Sequence, residues 1–233
     1  MANAIHGDSL SERIILITGA ANGIGASVAK ACAAQGATVV LLDKQVPALE
    51  QVYDAIEQQG SPTPAIYPLD LKGATQADYQ QLAHTVEAHF GGLHGVIHCA
   101  ATLGQLAPVE HQDGVTWLET LHVNLTAAYL LTQACLPLLK KHHSHLIFTT
   151  DHHRDSAYWG AYGISKAGIE ALAAQLASEL ETQGRVQVHC IDPGTVHTDL
   201  FTRAFPAADP SQLPKPDDIS ERYLSLLLDT VIA

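Results

Sequence analysis

The stretch RIILITGAANGIG, Arg13 to Gly25, joins a short apolar run to a cluster of glycines. Ile14 to Ile17 read as a buried strand, and the glycine turn follows at once. Gly19, Gly23 and Gly25 allow a tight turn and close backbone approach, with Asn22 and Ile24 inside the turn. Gly25 opens a helix that continues through Ala26, Ala29 and Ala33. Backbone N–H groups at that helix start would face a pyrophosphate, helped by the helix dipole. The spacing is G-x-x-x-G-x-G, not the more familiar G-x-G-x-x-G, and a plain glycine loop between strand and helix is the bland alternative. The next strand, Thr38 to Leu42, argues for the nucleotide. It ends in Asp43, where an acidic residue binds ribose hydroxyls.

A second stretch, WGAYGISKAG from Trp159 to Gly168, carries Tyr162 and Lys166 four residues apart. Such a pair shares one helix face, so phenol and ammonium project into the same space. A nearby ammonium lowers a tyrosine pKa from about 10 towards neutrality, which makes the phenol a usable general acid/base. Alone, the pair is more often a solvated helix face.

Together these motifs resemble the short-chain dehydrogenase/reductase family. Its TGxxxGIG signature stands unbroken at Thr18 to Gly25, and its YxxxK at Tyr162 to Lys166. The resemblance runs from about residue 11 to about residue 228. It is nearest to the YciK-type bacterial branch, through VNLTAAYLLTQACLPLL, WGAYGISK and AFPAADPSQLPKPDDI. The resemblance implies that Tyr162 transfers a proton and that Lys166 tunes it and binds the nicotinamide ribose. It implies that the Asn124 carbonyl, freed by a local kink, holds a relay water. Asn is intrinsically unfavourable in mid-helix, which independently favours a role. Asp70 and Leu71 would lie beside the adenine, although an Asp closing a strand serves equally as a cap. Ala100 and Ala101, where the family reads N-A-G, would let the cofactor ribose lie against the backbone, without the brace that the missing Asn gives the sheet. In the PGxVxT-like segment, Pro193, Gly194, Val196 and Thr198 would hold the nicotinamide carboxamide. Asp43 implies NAD, because a 2′-phosphate would meet a carboxylate; Lys44 beside it leaves NADP as the less favoured cofactor.

The resemblance is weakest at the family's catalytic serine. In HLIFTTDHHRDSAYWGAY, anchoring on the strand puts that position at Asp151, whereas counting back from Tyr162 gives Thr149, with Thr150 between. A threonine donates an O–H much as serine does. An ionised Asp only accepts, and it repels a developing alkoxide. Asp151, His152 and His153 form a further candidate acid/base set.

Hydrophobic residues make up 47% and charged residues 15% of the 233, which suits one α/β domain with a sheet buried on both faces. A net charge of −12 disfavours nucleic acid and anionic membranes. No apolar run is long enough to span a bilayer, and the start lacks a signal-peptide pattern, so a cytoplasmic protein is expected. Cys32, Cys99, Cys135 and Cys190 show no C-x-x-C spacing and read as buried reduced thiols. His142, His143 and His145 cluster before the fifth strand without accompanying ligands, so no metal is expected.

The expected architecture is a single doubly wound Rossmann-type domain over residues 1–233, with parallel strand order 3-2-1-4-5-6. Residues 1–10 read as a loose leader, Pro137 as the end of the Asn124 helix, and the proline-rich 199–216 as a mobile flap over the substrate. The family's seventh strand has no counterpart, because only Asp229 to Ala233 remain, and the edge beside strand 6 is left bare. Ala167, Ala171, Ala174 and Ser178 form a small-residue helix face suited to a homodimer; a tetramer stays possible. The function implied is an NAD(P)-dependent interconversion of a small alcohol and a carbonyl, with Thr149 or Thr150 polarising the substrate. A catalytically lapsed nucleotide-binding scaffold is the alternative.

Overall fold

In the computed structural model, which describes residues 9–182 and 184–228, six parallel strands form one sheet. They are β1 (Ile14–Thr18), β2 (Thr38–Asp43), β3 (Ala65–Pro68), β4 (Gly95–His98), β5 (Ser144–Thr149) and β6 (Val186–Ile191). The order is β3-β2-β1-β4-β5-β6, as the motif order implies. Both neighbours of β1 run parallel to it: Thr18 pairs with Leu42 of β2 and with His98 of β4. Strand order therefore reverses at β1, and a crevice opens beyond the carboxyl ends of β1 and β4.

Successive side chains of a strand face opposite ways, so each apolar strand feeds two cores. On one side Ile15, Ile17, Val39 and Leu41 pack against α1 (Gly23–Ala34), α2 (Val46–Gln58) and α8 (Pro216–Leu227). On the other, Leu16, Val40, Leu42 and Phe148 meet α3 (Gln76–Phe90), α5 (Ala127–Leu139) and α6 (Gly160–Glu181). Two shorter helices, α4 (Gly114–Leu121) and α7 (Asp199–Ala204), complete the set. Ser27 of α1 donates to Asp217 of α8 at 2.5 Å, tying the last helix to the first.

Several expectations are corrected. Leu10 is fully buried, and its N–H donates to Gln35 O at 2.7 Å, so the leader is anchored at least from there. Pro137 lies inside α5, not at its end, close enough to the C-terminus for the last turn to close after it. His145 belongs to β5 and is buried. Cys190 is exposed, because β6 pairs only with β5 among the described residues; all four thiols are free. The segment after 199 contains α7 and a turn of 3₁₀ helix at Pro210–Gln212. Residues 1–8 of the leader and the 229–233 remnant lie outside the described residues. No helix among those described is long and apolar enough to cross a membrane.

Candidate active site

The crevice at the sheet's switch point is a cleft of about 840 Å³. Its floor is the glycine turn. Gly19 sits at φ +68°, and a Cβ there would lie 2.8 Å from Ala100 Cα and N. A Cβ on Gly25 would meet Gly19 O at 2.2 Å, so the turn closes on itself only without side chains. Asn22, Gly23 and Ile24 line the cleft with these glycines, at the N-terminus of α1. The Thr18 hydroxyl accepts from Cys99 N at 3.2 Å and Ala100 N at 3.1 Å. That contact ties the loop after β4 to the end of β1, and nothing in the sequence flagged it beyond Thr18 standing in the signature.

Asp43, Asp70, Leu71, Ala100 and Ala101 line one arm of the cleft. The Asp43 carboxylate accepts from Gln45 N at 3.1 Å and Ala21 N at 3.4 Å. Asp70 does what a strand-closing Asp does: its side chain accepts from Lys72 N at 3.1 Å, and Lys44 pairs with it at 3.8 Å. Pro193, Gly194, Val196 and Thr198, which follow β6, line the cleft as well. The Thr198 oxygen accepts from Phe201 N at 3.2 Å, so it caps α7 and aims Phe201 and Phe205 at the cleft.

Helix α4 runs into α5 through a π-helical turn, His122–Thr126, which contains the buried Asn124. The bulge is the local kink expected there. Asn124 clamps the backbone of Thr102: Oδ1 accepts from its N–H at 2.8 Å, and Nδ2 donates to its carbonyl at 2.9 Å. Nδ2 also donates to Ser165 Oγ at 3.1 Å. Between Asn124 and Lys166 lies a void of about 10 Å³, room for roughly one water.

Tyr162 and Lys166 both face the cleft and are both buried. Lys166 Nζ donates to Thr149 O at 2.8 Å and lies 5.6 Å from the Tyr162 ring centre. Burial holds its pKa below the usual lysine value, although Asp151, Cys99 and Asp192 pull the other way. The expected lowering of the tyrosine pKa is overturned. Burial raises it, and the charge of Asp151, the hydrogen bond to Asp151 and then Asp192 raise it further.

Beyond burial, the chief cause is Asp151. Of the three positions that the sequence left open, Asp151 is the one that meets the tyrosine: Tyr162 Oη donates to Asp151 Oδ2 at 2.8 Å. Thr149 turns away, its hydroxyl 3.0 Å from Tyr223 Oη and 3.5 Å from Cys99 Sγ. Thr150 lines the cleft, and the Tyr162 proton passes it by for Asp151. Asp151 Oδ1 accepts from His153 N at 2.8 Å and lies 2.8 Å from His153 Nδ1. Burial pushes the Asp151 carboxyl up, but the hydrogen bonds from His153 and Tyr162 outweigh it and hold the pKa below the usual range. His153 stacks on Trp159 with ring centres 3.8 Å apart. Asp151, His152 and His153 bring ligand-type atoms within 4.8 Å of one another, whereas His142, His143 and His145 form no such group among the described residues. Hydrogen bonds inside the Asp151 group already satisfy the carboxylate.

A doubly wound sheet with a glycine turn at its switch point, and a tyrosine and lysine across the crevice, defines a nucleotide-binding α/β enzyme. The sequence profile for short chain dehydrogenase matches residues 13–209. An oxidoreductase of Escherichia coli K12 called YciK is 40% identical over 225 residues, which is 95% of this chain and 88% of that protein. A Shigella flexneri short chain dehydrogenase complexed with NADP superposes with a TM-score of 0.92 at 39% identity, covering 95% of this chain and 93% of the other. A short chain dehydrogenase of Escherichia coli CFT073 complexed with NADPH gives 0.90 at 41% identity, covering 94% and 92%. The chain belongs to the short-chain dehydrogenase family and is an oxidoreductase.

Proposed function

We propose that the protein interconverts an alcohol and a carbonyl by hydride transfer with a nicotinamide dinucleotide, and that Tyr162 is the acid/base group. The observation that carries this reading is the meeting, in one cleft, of the glycine turn at Gly19–Gly25 and the buried Tyr162–Lys166 pair. A nucleotide-binding scaffold has no use for a buried, carboxylate-bound tyrosine. The dinucleotide supplies or accepts the hydride. Gly19 to Gly25 would hold its pyrophosphate, Ala100 and Ala101 a ribose, and Pro193 to Thr198 the nicotinamide end. Lys166 would orient the second ribose, and the void beside Asn124 would hold the relay water.

Asp43 favours NAD, but the NADP and NADPH in the two similar structures favour the phosphorylated cofactor, and that is our reading. Lys44 supports it, because the ion pair to Asp70 is half-exposed and free to turn to a 2′-phosphate. Fluorescence titrations with NADPH and NADH test the choice. Lys44→Ala should weaken NADPH about tenfold and leave NADH nearly unchanged, a loss typical of one charge-assisted contact. If Asp43→Ala weakens NADH and Lys44→Ala does nothing, NAD is the cofactor. Tyr162→Phe should bind either cofactor as the native protein does and lose activity by about 10²-fold or more. Unchanged turnover in that variant removes Tyr162 from the chemistry.

A further inference from the structure

A carbonyl substrate needs hydrogen-bond donors around its oxygen, because that oxygen gains negative charge as hydride arrives. The reacting position here is built the other way. Tyr162 has one proton and gives it to Asp151 Oδ2 at 2.8 Å. Towards the cleft its oxygen therefore presents lone pairs. Asp151 stands where a donating hydroxyl would, and an ionised carboxylate only accepts. Lys166 turns its Nζ to the Thr149 carbonyl, and the Thr149 hydroxyl is committed to Tyr223. The second Asp151 oxygen is held by two His153 nitrogens, and His153 is fixed by its stack on Trp159. Beyond it His152, half-exposed, lies 3.6 Å from both Asp151 and Asp192. A chain of proton-carrying groups thus leads from Tyr162 to the rim of the cleft.

We propose that Tyr162, Asp151 and His153 act as one proton-accepting unit, and that the substrate group this site takes is the hydroxyl of an alcohol undergoing oxidation. This rests on the alcohol/carbonyl reading above and adds the direction and the residue that imposes it. In the step, the alcohol carbon yields a hydride to the oxidised nicotinamide, and the alcohol O–H proton passes to Tyr162 Oη. At the same time the tyrosine's own proton crosses to Asp151 Oδ2. The carbonyl product forms, Tyr162 ends protonated as it began, and the one proton gained by Asp151 leaves to water on the His153 side. Because Asp151 acts through the tyrosine, it is a positioning residue with respect to the substrate.

A pH signature follows. The groups facing the pair are His152 and His153 on the loop after β5, Lys166 on α6 and Asp192 after β6; Cys99 after β4 and Tyr223 on α8 stand behind, against Thr149. Asp151 is held ionised by its hydrogen bonds, and Tyr162 is held protonated. Oxidation, which starts from that state, should be level with pH from about 6 to 9. Reduction starts from protonated Asp151 and should fall about tenfold per pH unit over the same span. A site that works through tyrosinate alone would instead show oxidation rising with pH.

The deciding measurement needs no substrate. The protein is labelled with 3-fluorotyrosine, and each of its seven tyrosines is followed by ¹⁹F NMR from pH 6 to 11, with Tyr162 assigned by its loss in Tyr162→Phe. The expected result is a Tyr162 midpoint well above the ordinary tyrosine value, at or beyond the top of that range, brought down by one pH unit or more in both Asp151→Asn and Asp151→Ser. A midpoint that neither substitution lowers overturns the proposal, whatever its position. A panel of secondary alcohols and their ketones is then assayed with NADP⁺ and NADPH. Level oxidation in the native protein, and oxidation climbing about tenfold per pH unit in Asp151→Ser, support the proposal. Ketone reduction that stays constant from pH 6 to 9 overturns it. Loss of NADPH binding would sink the cofactor reading separately and leave the tyrosine titration standing.

Discussion

Gly19 shows how much one missing side chain decides. Its φ of +68° is left-handed, and its Cα lies so close to β4 that a methyl group would sit 2.8 Å from the Ala100 backbone. Neither neighbour is a flexible side-chain end that could move aside. Gly19→Ala should therefore cost on the order of 2 kcal/mol of stability. It should also push Ala100 out of the cleft, so NADPH affinity falls along with the urea midpoint. Gly60, also at positive φ, has nothing within 4 Å of its absent Cβ, and Gly60→Ala should cost less and leave NADPH affinity alone. Equal effects at the two positions would mean that only the backbone angle matters. The Gly19 role is legible in sequence because a glycine at fixed distance from a strand end has few other uses. Asp151 was not legible in the same way. Its identity was plain, but a loop shorter than expected left three candidate positions, and only the hydrogen bond to Tyr162 distinguishes them.

Among the elements, the α4–α5 helix carries Asn124 in its π-helical turn. The π-turn at His122–Thr126 adds a residue to one turn and rotates Asn124 into the core, where it meets both the Thr102 backbone and Ser165. The loop that follows β4 is thereby fixed from the helix side, while Thr18 fixes it from β1. Asn124→Ala would leave the Thr102 N–H and carbonyl without these partners, at a cost of about 2 kcal/mol. Hydrogen exchange at Thr102 should accelerate in that variant, and cofactor binding should weaken. An unchanged exchange rate would show that the clamp carries no load. Helix boundaries elsewhere were legible because periodicity and glycine stops mark them, as Gly91 does in its left-handed cap to α3. The bulge was expected only through the family resemblance, and the persistence of α5 past Pro137 was missed. Both depend on tertiary contacts that compensate a local penalty, and local sequence does not report such contacts.

At the scale of the whole molecule, what is unpartnered becomes informative. On α6, Ile169, Leu176 and Leu180 are buried against the sheet, while Ala167, Ala171, Ala174 and Ser178 face outwards. Beside them α4 exposes Val115 at 66% and Leu118 at 69%, and α6 exposes Ile164 at 47%. Since α4 packs on α6, these residues make one apolar, small-sided face on a chain of net charge −12. A second copy laid across it by two-fold symmetry would bury α6 against α6 at the close distance that alanines allow. The expected outcome by light scattering is a particle of about twice the 24.8 kDa chain. Ala171→Arg should halve that mass, because it puts a long charged side chain at the contact while touching none of the protein's own core. If the protein runs as a single chain, the face is not a pairing surface; if Ala171→Arg leaves a dimer intact, pairing runs through another surface.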